Sequence, residues 1–501
     1  MHYPVIVLSS DSASYIAAAF QLLELKAPLF DIRTPGYPLF IAAVWSFGKN
    51  FISISLVQSV ITYLSAVFFL AVAYRYYSNM VIWFAVAVCG FITSSYFLVL
   101  EMSMLTEGIF TSIMLFASGV LLLAVKSEKV WIWAVFSALI GLLIYIRPAG
   151  LFLIGLLLPL IIYFYMKRSG IRSYVALIAP CMLLLIALCT YNLFTLGKFT
   201  ITPFGEANLA GVTVLFMAPS DNYPENVNNA IRSTLDSIPR RDLNYVRNSY
   251  NPDRLFITFK DHFHMQMMLV DNLKKSDSSM TYIKAQPYLR QISLDAISAH
   301  PEIYAKFFFC NLYYFFTNVG RNMDYFAELE KIYKRSVIDR RFVKELEDGK
   351  WRQVSGSAEL NASVKDFVRE KFEAQEDLDG FVRNQDGSVS LKPSLLMTVA
   401  GLYLRLSSIV FRNPLWLLLF AVMIYYSLRV LFAGKFRDSD AVLSSLFILI
   451  FVLKALLVSS VESSLERYSY TVELSVYLSL PFILILRKKL IEYKSQNKNL
   501  K

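Results

Sequence analysis

Apolar runs of roughly 18 to 22 residues recur along the chain, each long enough to span the hydrocarbon core of a bilayer. The pattern predicts spanning helices over residues 51–74, 80–99, 107–125, 130–146, 149–166, 173–195, 413–433, 441–460 and 469–486. The connectors alternate in charge. Arg75, then Lys126 and Lys129, then Lys167, Arg168 and Arg172, then Lys435 and Arg437, and finally the tail from Arg487 to Lys501 all fall on one side. Basic residues gather in short cytoplasmic connectors, so that side is predicted to be cytoplasmic. The opposite side receives residues 1–50, Glu101 to Glu107, Arg147, the long segment 197–395, and Glu462 to Arg467.

Shorter patterns fill the non-cytoplasmic side. Ala13 to Glu24 places Tyr15, Ala18, Ala19 and Leu22 on one side of a helix too short to span, as an interfacial helix would. Residues 38–47 read as a second. Segment 197–395 has a helical pattern at Asn226 to Ile238, Lys260 to Leu273, Thr281 to Ser298, Met323 to Ile338 and Ala358 to Ala374, with no run of alternating strands and no internal repeat. Residues 303–318 and 396–411 are apolar but short, and read as interfacial or re-entrant. The organisation predicted is an N-terminal transmembrane module over 1–196, an external, mainly helical domain over 197–395, and a C-terminal transmembrane module with a basic tail over 396–501. An acid-bearing first loop ordinarily follows a spanning helix. The expectation is therefore either a further helix ahead of Met1 or a short N-terminus translocated by the helix that follows.

Composition agrees. The 501 residues are 56% hydrophobic and 17% charged, against about 25% charged in soluble domains. The net charge of +11 sits largely at span ends, where orientation explains it, so no nucleic-acid partner is expected. Of four cysteines, Cys89, Cys181 and Cys189 lie in apolar runs as packing residues, and with Cys310 they form no Cys-x-x-Cys pair or disulfide framework.

Candidate chemistry concentrates on the non-cytoplasmic side. Asp11, beside Ser9, Ser10 and Ser12, is placed either to take a proton from a hydroxyl or to cap the helix that begins at Ser12. Arg33 and Arg147 have the rigid fork that matches phosphate oxygens. Arg33 opens the corner Arg33-Thr34-Pro35-Gly36-Tyr37-Pro38, and its alternative is an ion pair with Asp31. Arg147 lies in Ile146-Arg147-Pro148-Ala149-Gly150, a break between two spans, and its alternative is snorkelling at a span end. Glu101 and Glu107 flank a short outer turn. Glu107 is either a second acid of the site, able to orient an acceptor or ligate a metal, or a carboxylate favoured by the helix dipole. Glu462, Glu466, Arg467 and Tyr468 open the last span, where Arg467 either adds to a phosphate site or pairs locally. His262 and His264 sit on a predicted helix, point apart, and are read as solvated or packed.

Together these motifs resemble the GT-C glycosyltransferases, in particular bacterial relatives of the protein O-mannosyltransferases and of the lipid A aminoarabinose transferases. The Asp-Ser-x-x-Tyr segment at Asp11 and the Arg-Thr-Pro-Gly-Tyr-Pro corner resemble their first external loop. Leu105 to Phe110 resembles the acid at the start of a later span, and Ile146-Arg147-Pro148 the arginine-proline turn. Gly197-Lys198-Phe199 with Gly205 to Leu209 resembles the entry to the external domain, and Glu466-Arg467-Tyr468 the motif before a late span.

The resemblance implies an all-α polytopic membrane protein, a GT-C-like helix bundle of the bacterial inner membrane with its active site on the periplasmic face. It implies a polyprenyl-phosphate sugar as donor and a lipid, glycan or protein hydroxyl as acceptor. Asp11 would be the base, with Glu107 as second acid, and transfer would invert the anomeric carbon. Arg33, Tyr37, Glu101, Arg147, Arg467 and Tyr468 would bind substrate. No metal site is assigned, although a divalent metal is compatible with the chemistry. The chain departs from the protein mannosyltransferases in having Asp-Ser where they carry adjacent Asp-Glu, which weakens the case for a protein acceptor. Two other readings stand beside this one: an O-antigen polymerase or ligase using Arg240, Arg241 and Arg254, and a lipid or glycan transporter. The latter ordinarily shows broken mid-membrane helices and paired repeats.

Overall fold

The computed structural model describes residues 11–24, 33–49, 51–202, 204–318, 381–383, 389–391, 415–433, 438–462 and 466–499. Apart from two three-residue strands, β1 (Phe381–Arg383) and β2 (Val389–Leu391), paired antiparallel, the regular structure among these residues is helical. Among the described residues, five stretches are long and apolar enough to cross a membrane: Phe51–Ile92, Thr106–Ser127, Pro148–Lys167, Ile171–Leu196 and Ser439–Val461. The described residues are those of a mainly helical polytopic membrane protein. Residues 396–411, 323–338 and 358–374 lie outside the described residues.

The chain divides into two compact units. The first comprises Met1–Leu185, Gly320–Phe451 and Tyr470–Lys501. It begins with the short helices α1 (Ser12–Leu23) and α2 (Gly36–Gly48), which fall where two short helices are expected. Then follow α3 (Phe51–Tyr77), α4 (Val81–Ile92), α5 (Ser95–Met102), α6 (Thr106–Ser127) and α7 (Val130–Ile146). A 3₁₀ segment, Pro148–Leu156, leads into α8 (Leu157–Lys167) and α9 (Ile171–Leu196). Later come α17 (Leu415–Ala433), α18 (Ser439–Val461) and α19 (Glu466–Asn499). The expected single span over 80–99 is instead interrupted between α4 and α5. Thr93 turns its hydroxyl back onto the Cys89 carbonyl at 2.6 Å, and Ser94 is extended (φ −63°, ψ 142°). Such side-chain bonding competes with helix continuation.

Polarity in this unit runs inward. On α3, Gln58, Thr62 and Ser65 are buried while Val60, Leu64 and Val67 face out. That is how a helix in lipid satisfies its polar groups and presents hydrocarbon to hydrocarbon. α6 is buried along most of its length. It closes on α3 through Gly119, where a Cβ would come within 3.2 Å of the Phe69 backbone, and through a 2.6 Å bond between the Thr62 and Ser112 hydroxyls. At the end of the bundle predicted to be cytoplasmic, Asp440 accepts from Lys126 and Tyr77, and Lys489 spans Asp438 and Asp440 at 2.5 and 2.6 Å.

The second unit comprises Ile186–Val319 and Val452–Ser469. Its helices are α10 (Gly205–Thr213), α11 (Glu225–Asp236), α12 (Arg240–Asn248), α13 (Pro252–His262), α14 (Met265–Ser276), α15 (Tyr282–Ala299) and α16 (Pro301–Asn318). The helix expected over Lys260 to Leu273 is two helices, joined at Phe263 and His264. Their core is built on Phe216, Ile231, Phe259, Leu269, Leu289 and Phe307. Gly211 lets the Phe263 carbonyl approach to 2.6 Å from where a Cβ would sit.

Candidate functional site

The first described residue, Asp11, precedes α1 and makes no side-chain cap to it. Its carboxylate instead reaches Arg33, 22 residues on, with Nη2 donating to Oδ1 at 2.8 Å. Arg33 Nε donates to Ser14 Oγ at 2.8 Å and Nη1 to the Tyr15 hydroxyl at 3.3 Å, and the guanidinium lies 4.5 Å from the Tyr15 ring centroid. The Ser14 hydroxyl in turn donates to the Asp11 carbonyl at 2.7 Å. Both members of the ion pair keep about a quarter of their side-chain surface open, 29% for Asp11 and 23% for Arg33. Asp31, the alternative partner for Arg33, lies outside the described residues.

This pair is held against the rest of the unit at three points. Buried Ser12 donates to the Met104 carbonyl at 2.9 Å, fastening α1 to the turn before α6. Tyr37, fully buried, meets Tyr15 edge-on at 5.1 Å and donates to Gln58 Oε1 at 3.0 Å. Gln58 Nε2 donates onward to the Glu101 carbonyl at 2.7 Å. The third point is Gly36, where a Cβ would lie 2.6 Å from the Tyr145 carbonyl carbon and 2.7 Å from the Ile146 nitrogen. Only glycine permits the corner to touch that backbone.

The residue after Ile146 is Arg147, and its conformation follows from the sequence. Pro148 excludes its predecessor from the helical region, and Arg147 is extended at φ −148°, ψ 119°, ending α7. Its side chain turns inward to Glu107 in the first turn of α6, Nη1 to Oε1 at 2.9 Å. This second pair is nearly closed to solvent, with side-chain exposures of 10% for Arg147 and 3% for Glu107. Thr106 adds a 3.2 Å hydroxyl bond to Glu107 Oε2. Burial, reinforced by Tyr15 and Glu107, holds the Tyr37 phenol well above its ordinary pKa, so Tyr37 serves as a neutral donor.

Six of the eight candidate residues thus fall in one connected region: Asp11, Arg33 and Tyr37 on the first loop, Glu101 and Glu107 around the next turn, and Arg147 behind them. Glu101 is buried, and its Oε1 has no hydrogen-bond partner. Burial drives its carboxyl pKa upward against the opposing hydrogen bonds of Thr62 and Ser59. Arg467 and Tyr468 lie on α19, and their side chains are outside the described residues. Among the described residues no group of three or more His, Cys, Asp or Glu is arranged to hold a metal ion. His262 ends α13 and meets Asp242 at 3.1 Å, while His264 precedes α14. In the second unit Arg240, Arg241 and Arg254 are all exposed. Arg254 stacks on Tyr245 at 4.4 Å, and Arg241 sits 3.6 Å from neighbouring Asp242.

Some polar residues of this bundle escaped the sequence reading. Gln58 bridges Tyr37 to the Glu101 backbone from inside an apolar run. Lys454 and Glu473 are buried within α18 and α19. The available signal was a charged or amide side chain inside a predicted span, a costly placement that marks polar work.

No family model matches the chain, and no curated protein matches it. Among solved structures, the crystal structure of ArnT from Cupriavidus metallidurans bound to undecaprenyl phosphate is similar at 11% identity. The match covers 97% of this chain and 74% of that one, with a TM-score of 0.33.

Proposed function

We propose that this membrane protein is a glycosyltransferase, moving a sugar from a polyprenyl-phosphate donor to an acceptor hydroxyl on the non-cytoplasmic face of the bacterial inner membrane. The observation that carries this reading is the juxtaposition of an accessible, non-capping carboxylate, Asp11, with an accessible arginine, Arg33, in a corner packed on the turn of a second arginine, Arg147.

In the proposed reaction Asp11 takes the proton from the acceptor hydroxyl as its oxygen bonds to the anomeric carbon. The bond from that carbon to the phosphate oxygen breaks, and the electron pair leaves with the polyprenyl phosphate. Attack opposite the leaving group inverts the centre. One acid-base group suffices, because phosphate departs without a proton. Negative charge grows on the phosphate as the bond breaks, and fixed cations stabilise growing charge most in a site of low dielectric. Arg33 is the arginine open to the ligand. Arg147, paired with Glu107, fixes the turn on which that corner packs, and Tyr37 and Glu101 shape the floor. Arg467 and Tyr468 are proposed to join from the late span.

Cells lacking the protein should lose one sugar from a surface glycan, read by mass spectrometry, and accumulate the matching polyprenyl-phosphate sugar. An unchanged glycan profile with no accumulated donor would reject the proposal.

A further inference from the structure

In the resting protein the proposed base is engaged. A lone pair of Asp11 that accepts the Arg33 Nη2–H at 2.8 Å is not available to a hydroxyl proton. The arginine proposed to hold the donor phosphate is held by the same bond. While the pair is closed, Asp11 Oδ1 and one arm of the Arg33 fork are committed to each other.

The surroundings favour exchange. Of the three described hydrogen bonds of Arg33, two go to neutral hydroxyls, and the one to Tyr15 is long at 3.3 Å. A phosphate diester offers charged oxygens in the spacing of the guanidinium fork, a stronger match than a neutral hydroxyl. The pair is open to solvent, unlike Glu107–Arg147. Tyr15 is itself fixed, buried and packed edge-on against Tyr37, so its ring can carry the guanidinium face as the fork turns.

We infer that the Asp11–Arg33 pair is a latch opened by the donor. The lipid-linked phosphate takes over Arg33, and Asp11 becomes free to receive the acceptor hydroxyl once the donor is in place. Binding is thereby ordered, donor before acceptor. This inference rests on the glycosyltransferase reading above.

The test uses the full chain in phosphatidylcholine nanodiscs, with and without undecaprenyl phosphate as a product-shaped probe. Lipid retention is read by native mass spectrometry. The accessibility of Asp11 is read on the same samples by carbodiimide labelling and peptide mapping. With lipid retained, Asp11 labelling should rise roughly twofold to fivefold, the factor matching an open ion pair of up to about 1 kcal/mol. Arg33→Met should show the raised labelling without lipid and no further response. Retained lipid with unchanged or reduced labelling of the wild type would overturn the latch and leave the phosphate site standing. Failure to retain the lipid would overturn the phosphate site and the latch together. The wild-type comparison decides the matter even where Arg33→Met does not fold.

Discussion

Arg147→Met should destabilise the protein far more than its position at a span end would indicate. Nη1 lies 2.9 Å from Glu107 Oε1, with side-chain exposures of 10% and 3%. At that separation and an effective dielectric near 20, the gross attraction is roughly 6 kcal/mol. Most of it offsets the cost of bringing both ions out of water. Removing one partner keeps that cost for the other, and for buried pairs the loss is about 3–5 kcal/mol. This is a large fraction of a typical folding free energy of about 5–15 kcal/mol. Glu107→Gln should lose a similar amount by stranding the guanidinium. The double variant leaves no uncompensated charge, so its loss should fall short of the summed single losses by about 2–3 kcal/mol, the upper range of coupling for residues in contact. SDS-driven unfolding in mixed micelles measures all four proteins. Single losses that add to within about 0.5 kcal/mol would refute a coupled buried pair.

Four further substitutions probe the same unit. Gly36→Ala should cost about 1–3 kcal/mol and shift the arginine corner, because its methyl would meet the rigid Tyr145 carbonyl; a wild-type unfolding midpoint would show that the corner does not rest there. Glu101→Gln should stabilise the protein at neutral pH. Burial raises the folded carboxyl pKa above its ordinary value of 4.5, so the wild type loses stability as pH rises from about that value through the folded pKa. The gain should open across this window and vanish in more acid solution, and a Glu101→Gln chain less stable than wild type at pH 7.5 would contradict it. Asp440→Ala should cost about 3–5 kcal/mol by stranding Lys126, while Lys489 keeps Asp438. Lys167→Met, whose partner Glu128 is 63% exposed, should move stability by about 1 kcal/mol or less; equal effects would deny the difference in burial.

Much of this structure can be read from local sequence. The apolar period places α1 and α2, and Pro148 ends α7. The partners of the site residues are less legible. Arg33 stands two residues from Asp31 in sequence, yet pairs with Asp11 across 22 residues, and Glu107 finds Arg147 across 40. Such choices are made by the folded bundle, through the Ser12–Met104 bond and the Gly36–Tyr145 approach. No local propensity encodes them. The break at Thr93 and Ser94 was hidden for a different reason. Both residues are tolerated in apolar spans, and hydropathy does not register a hydroxyl turned back on its own helix. The buried cluster of Asp438 and Asp440 with Lys126 and Lys489 was equally hidden, since each residue alone reads as a solvated span end.

The central claim is that Asp11 performs the proton transfer of a sugar-transfer reaction. It is tested most directly by mass spectrometry of the surface glycans of cells lacking the protein and rescued with wild type or Asp11→Asn, with both proteins present in the membrane at equal levels. Wild type should restore the missing sugar and Asp11→Asn should not. Restoration of that sugar by Asp11→Asn would contradict it.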